Sequence, residues 1–178
     1  VRILLLCLAL LAPISSQAQL LSLKDLQFIC SEKGWVGSNN LLISKGWLFE
    51  DSEKLAFGLN LEYHAKVEWS LNRTGSIADA WVTARIEDPI TIAFTGGYGN
   101  EVTFQFFDVN HYQTFIDELT KSGTLVSSNI ENSILIYLYE MNGFDFEVKM
   151  SKDRYTIIAE KSERRKANER IQKYMDKK

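Results

Sequence analysis

Side chains able to do chemistry are few in this sequence, and their spacing decides what they can do. The two histidines, His64 and His111, stand far from each other and from either cysteine. A zinc site asks for His at i and i+4, or for closely spaced cysteines, because the ligands must converge on one ion at about 2 Å. Neither pattern occurs, so no metal site is expected, and His64 reads as a solvated cross-strand residue. Cys30 falls on the apolar side of a helical pattern with no flanking motif, which suits a buried core thiol better than a nucleophile. Gly96-Gly97-Tyr98-Gly99 could turn consecutive N–H groups toward an anion. A phosphate loop, however, leads into a helix carrying Lys then Ser or Thr, and here a strand pattern follows at once, so a turn is expected. Glu62 and Glu68 share a strand face but, at about 3.3 Å per residue, stand about 20 Å apart, too far for a hydrolytic pair. No catalytic residue, cofactor or metal ligand is assigned.

The elements that must carry these residues are legible from periodicity. Leu23, Leu26, Ile29 and Cys30 recur at helical spacing behind Ser22, with Asp25 placed to complete a capping box, and predict a helix over 22–33. A second is predicted from Ser38 to Lys45, stopped by Gly46. These two make a helix-turn-helix-like hairpin with no basic recognition face, a poor DNA reader. A third is predicted over 110–122, capped by Asn110 with Gln113 and stopped by Gly123.

Strict alternation over Leu61 to Leu71 and over Ala78 to Ile86 predicts strands with one wet face. Ile90, Ile92 and Phe94, then Val102, Phe104 and Phe106, flank the Gly96–Asn100 turn as a hairpin. Four more strands are predicted near 124–130, 133–141, 144–150 and 154–160, with Asn142-Gly143 as a tight turn. Sliding the chain by 77 residues lays Leu42–Gly46 on Leu119–Gly123 and Trp69 on Phe146, which suggests a tandem repeat of a helix-then-strands unit over 22–107 and 108–160. The expected class is α+β, an antiparallel sheet with helices packed on one face.

The strand from Ser133 to Met141 is apolar on both sides, with Ile134, Ile136 and Leu138 on one and Leu135, Tyr137, Tyr139 and Met141 on the other. If helices cover only one face, the tyrosine side could be exposed, and Tyr137, Tyr139 and Trp81 then form the expected partner surface. A central strand covered by a second layer is the competing reading.

Residues 1–18 read as a secretory signal peptide: Arg2, an apolar run from Ile3 to Ala12, Pro13, and small residues at Ser16 and Ala18. The run is too short for a membrane span, so no transmembrane anchor is expected, and the protein is placed in the periplasm or outside the cell. Removing this segment leaves a domain over 19–160 with Cys30 as its lone thiol, held by packing rather than by an internal disulfide. Residues 161–178 hold eight basic residues against three acidic, including Arg164, Arg165, Lys166, Arg170 and Lys173. A basic helix starting near Ser162 is expected, with Ala167, Ile171, Tyr174 and Met175 on one face, laid against the acidic domain. A frayed tail and a membrane-surface arm are the other readings, and nucleic acid is an improbable target for an exported chain.

The stretches Ser22-Leu23-Lys24-Asp25-Leu26-Gln27, Ser31-Glu32-Lys33, Leu41-Leu42-Ile43-Ser44-Lys45-Gly46-Trp47 and Trp69-Ser70-Leu71-Asn72 resemble small exported proteins of Bacteroidetes-type bacteria. That family has no established activity, so the resemblance implies no catalytic residue. In architecture alone, a repeated helix-and-sheet unit is similar to β-lactamase-inhibitor-like and outer-membrane assembly lipoprotein domains, whose sheets bind proteins. The expected function is an exported, non-enzymatic module binding a protein or cell-envelope partner through an aromatic-rich sheet face. A small apolar or sugar ligand is the alternative, and an enzyme of unknown class the third.

Overall fold

The computed structural model describes residues 20–54, 63–72, 79–87 and 99–175. The proposed leader, the Ile90–Phe94 half of the expected hairpin with Gly96–Tyr98, and residues Leu61 and Glu62 lie outside them. So do the side chains of His64, Ile171, Tyr174 and Met175.

Ser22 opens helix α1 (Leu23–Ser31) with the expected reciprocal cap: its hydroxyl accepts from the Asp25 N–H at 3.3 Å, and the Asp25 carboxylate accepts from the Ser22 N–H at 2.7 Å. Leu23, Leu26, Ile29 and Cys30 are buried as the stripe implied. Helix α2 (Val36–Ser44) begins two residues before its expected start at Ser38, which is a buried interior residue of the helix. The chain then turns through Gly46, at φ 83°, into strand β1 (Leu48–Lys54), which sequence periodicity did not single out. All seven of its residues are exposed, so no alternation between wet and dry sides could mark it.

Strands β2 (Tyr63–Leu71), β3 (Ala80–Glu87) and β4 (Glu101–Phe106) follow, then helix α3 (Val109–Ser122). Its cap is Asp108, which accepts from the N–H groups of Asn110 and His111 at 2.9 and 3.0 Å; the expected Asn110–Gln113 cap is not formed, and Gln113 donates to Asp117 instead. Strands β5 (Thr124–Glu131), β6 (Ile134–Met141), β7 (Phe144–Met150) and β8 (Tyr155–Lys161) are joined by tight turns, and helix α4 (Ser162–Met175) ends the described chain. Asn142 and Gly143 both take positive φ, 55° and 80°, as a two-residue primed turn requires.

The strands form one antiparallel sheet in the order β1-β2-β3-β4-β8-β7-β6-β5. Two meanders run inward from opposite edges and join at the β4–β8 pair, so β1 and β5 are the edges. The fold is α+β. The chain passes twice through helix then four strands, yet a 77-residue shift carries β1 onto β5 and β2 onto β7, skipping β6. The overlay that suggested a tandem repeat therefore does not match the strands in order.

The apolar core lies between α1, α2, α3 and one sheet face. Register sets Trp69, Val82, Phe104, Ile157, Val148 and Tyr137 in one row across β2, β3, β4, β8, β7 and β6. A parallel row holds Val67, Ala84, Val102, Ala159, Phe146 and Tyr139, and all of these but Tyr137 are buried. At about 25 cal/mol per Å² of apolar surface, such rows supply the main folding drive in a chain whose only described cysteine is free. Phe104, Phe106 and Phe115 pack with His111, whose Nε2 lies 2.8 Å from the Leu21 carbonyl and so ties the segment before α1 to α3.

Candidate functional site

Among the described residues, helices α1–α3 pack on one side of the sheet, and the other side is met only by α4 at one end. Its residues follow from register. One row across β6, β7, β8, β4, β3 and β2 is Leu138, Glu147, Ile158, Thr103, Thr83 and Glu68; the next is Ile136, Lys149, Thr156, Gln105, Trp81 and Ser70. All are partly exposed except Ser70, which is buried. Trp81 therefore sits on the open face as the alternation implied, with Phe107 packed edge-on at 5.6 Å between ring centres.

Tyr137 and Tyr139 do not belong to this surface. They lie on the helix side, where Tyr139 is 8% exposed inside the core and Tyr137 packs against it. The expected tyrosine patch is thus replaced by the opposite side of the same strand, Ile136 and Leu138. Alternation gave the two faces of β6 correctly, but which one the helices cover was decided by packing.

A third row on the open face is acidic. Glu140 faces Asp145, and Asp145 faces Glu160, across β6, β7 and β8. Glu101 follows one step beyond the Val102–Ala159 pair, and faces Arg85 on β3. Like charges directly opposed across strands destabilise a sheet unless cations answer them. Helix α4 supplies those cations. Arg165 donates to the buried Asp145 carboxylate, which also accepts from the Ser162 hydroxyl at 2.6 Å, and reaches Glu140 at 3.4 Å and Glu169 at 2.7 Å. Its hydrogen bond to Asp145 holds the Arg165 guanidinium above its ordinary pKa, against a burial effect of opposite sign. Lys166 pairs with Glu140 at 3.0 Å and Arg85 with Glu101 at 3.0 Å.

Between this row and its neighbour lies a recess of about 230 Å³, lined by Glu101, Leu138, Asp145, Glu147, Ile158, Glu160 and Arg165. Its carboxylates are answered within the fold, Asp145 by Arg165, Glu101 by Arg85 and Glu147 by Lys149, around the apolar side chains of Leu138 and Ile158.

The other sequence candidates lie elsewhere. Arg164 is buried at the sheet end, 3.2 Å from Glu87, and donates to the Gly99 carbonyl at 2.7 Å. Arg170 and Lys173 are exposed on α4. The segment expected to be a basic helix on an acidic domain is thus a helix whose first turn spends Arg164, Arg165 and Lys166 on the domain itself. Cys30 is buried, its thiol donating to the Ala159 carbonyl at 3.2 Å; burial first, then the Glu160 and Glu101 charges, push its pKa up, the opposite of an activated nucleophile. Among the described residues no group of His, Cys, Asp and Glu could hold a metal ion, and no helix is long and apolar enough to cross a membrane.

The acidic row escaped sequence reading. The Asn142-Gly143 turn implies that Glu140 opposes Asp145, which was a usable signal. The meeting of Glu160 with Glu101 depends on the β4–β8 pairing, which no local pattern encodes. Compared with protein-family models, curated proteins and solved structures, the chain matches none.

Proposed function

We propose that this chain is an exported, non-enzymatic module that docks a protein or cell-envelope partner on the open face of its sheet. The observation that carries the reading is the side of the sheet away from α1–α3: among the described residues Trp81, Ile136, Leu138 and Ile158 stay partly exposed there, among charges already paired within the fold. Interfaces combine such apolar centres with polar rims. Export rests on the Ile3–Ala12 run and the Ser16-Gln17-Ala18 site.

The test is capture from envelope extract by wild type and by a Leu138→Lys/Ile158→Lys variant, read by mass spectrometry. A protein captured by wild type and lost by a variant with an unchanged melting temperature supports the reading. Equal capture by both refutes the surface.

A small apolar ligand is the second reading. It is favoured by a recess of about 420 Å³ at the far end of the helix side, lined in part by Ile130, Leu135, Met150 and Tyr155, within the size range of ligand pockets. Met150→Trp would fill it and abolish binding of an apolar fluorescent probe without touching the open face.

A further inference from the structure

The two sheet edges differ in chemistry. In β1, four of seven residues are charged, Glu50, Asp51, Glu53 and Lys54, and a bulge falls between Phe49 and Asp51. Charges and bulges are how native sheets keep an edge from pairing. In β5 the only charge is Glu131, and the strand is exposed throughout, with Leu125 at 51%, Val126 at 44% and Ile130 at 75%. β5 pairs with β6 on one side and with no other described strand, so its outer row of backbone N–H and C=O groups is open to a further strand.

We propose that β5 is a self-association edge, on which a second copy of this chain adds its own β5 in antiparallel register. Charge and side-chain direction both favour a second copy. In a two-fold pairing centred on the regular part of β5 Glu131 opposes a serine and no like charges meet, whereas β1 centred in the same way on Asp51 would set that carboxylate against its own copy in a domain already acidic. The bulge in β5 lies between Leu125 and Ser127, which leaves Ser127–Glu131 regular. Within that run Ser127, Asn129 and Glu131 point to the open face, Ser128 and Ile130 to the helix side. Opposed residues must share a side, so the axis that uses the whole run falls on Asn129. Asn129 then meets its own copy, amide to amide, Ser128 meets Ile130, and Glu131 meets Ser127. The joined sheet would have sixteen strands.

This proposal is independent of the open-face reading and is tested on the protein alone. Wild type is expected to sediment at twice the chain mass. The double variants Ser128→Lys/Ile130→Lys and Ser128→Glu/Ile130→Glu should each sediment as one chain, and their mixture should restore the two-chain mass, because each Lys then faces a Glu. Under mild oxidation Asn129→Cys should cross-link, while Thr124→Cys and the β1 control Ser52→Cys should not, since a disulfide needs Cα atoms within about 7 Å. One-chain mass for wild type at the highest soluble concentration, or cross-linking at Ser52→Cys equal to that at Asn129→Cys, would overturn the proposal. Unchanged melting temperatures show that the variants fold.

Discussion

Arg164 and Glu87 form an ion pair of 3.2 Å, with side chains 2% and 3% exposed, between the first turn of α4 and the end of β3. Around it the Glu87 carboxylate accepts from the Gly99 N–H at 2.8 Å, and the Asn100 amide donates to the Ile29 and Gly34 carbonyls. One polar node thus joins the C-terminus of α1, the β3 and β4 ends, and α4. A buried charge left without its partner keeps its full desolvation cost.

Arg164→Ala is therefore expected to lower stability by about 3 to 5 kcal/mol in urea unfolding. Lys166→Ala, at an exposed pair, should change it by less than about 1 kcal/mol. Truncation after Lys161 should behave like Arg164→Ala; a truncated chain as stable as wild type would show that the segment is an unattached tail.

Gly99 and Gly143 both hold left-handed backbone, at φ 85° and 80°, but a Cβ at Gly99 would meet the Cys30 carbonyl oxygen at 2.1 Å, while at Gly143 nothing lies within 4 Å. Gly143→Ala should cost about 1 kcal/mol, the conformational part alone. Gly99→Ala adds a backbone clash and should cost at least about 3 kcal/mol. Similar losses at the two sites would contradict the close approach of Gly99 to α1.

Cys30 fixes the direction of one pH effect. Its folded pKa is raised, so the folded thiol keeps its proton while the unfolded chain releases one above about pH 8.5. The unfolded state then binds fewer protons, and stability should fall by about 1.4 kcal/mol per pH unit above that point until the folded thiol itself titrates. The contribution is fully present at lower pH. Subtracting the pH profile of Cys30→Ala from that of wild type isolates this slope; parallel profiles would show a thiol open to water. A thiol reagent should modify wild type only on unfolding.

Tyr139→Ser removes a ring buried in the core and is expected to cost about 3 kcal/mol. Ile136→Ser, on the opposite side of the same strand and partly exposed, should cost less than half of that. Equal losses, or the reverse order, would mean that the helices cover the other face.

How much of this was legible depends on the range of the information. The Ser22–Asp25 cap, the α1 stripe, the Asn142-Gly143 turn and the alternation of β2, β3 and β6 are written within a few residues of themselves, because caps, turns and periodicity act locally. The start of α2 and the cap of α3 were each misplaced by two residues, since Trp35 opens α2 with no side-chain cap to mark it, and at α3 Asp108 rather than Asn110 caps the first turn. The exposed β1 had no alternation to read.

What the sequence determined alone was the α+β class and the helix and strand inventory of the second half. What only the tertiary structure decided was which side of β6 faces water, where Arg164 goes, and that Glu101, Glu140, Asp145 and Glu160 line up. Those outcomes hang on the β4–β8 pairing and on helices closing over one face. They are contacts between residues far apart in the chain, chosen by the burial of the whole sheet rather than by any segment of it.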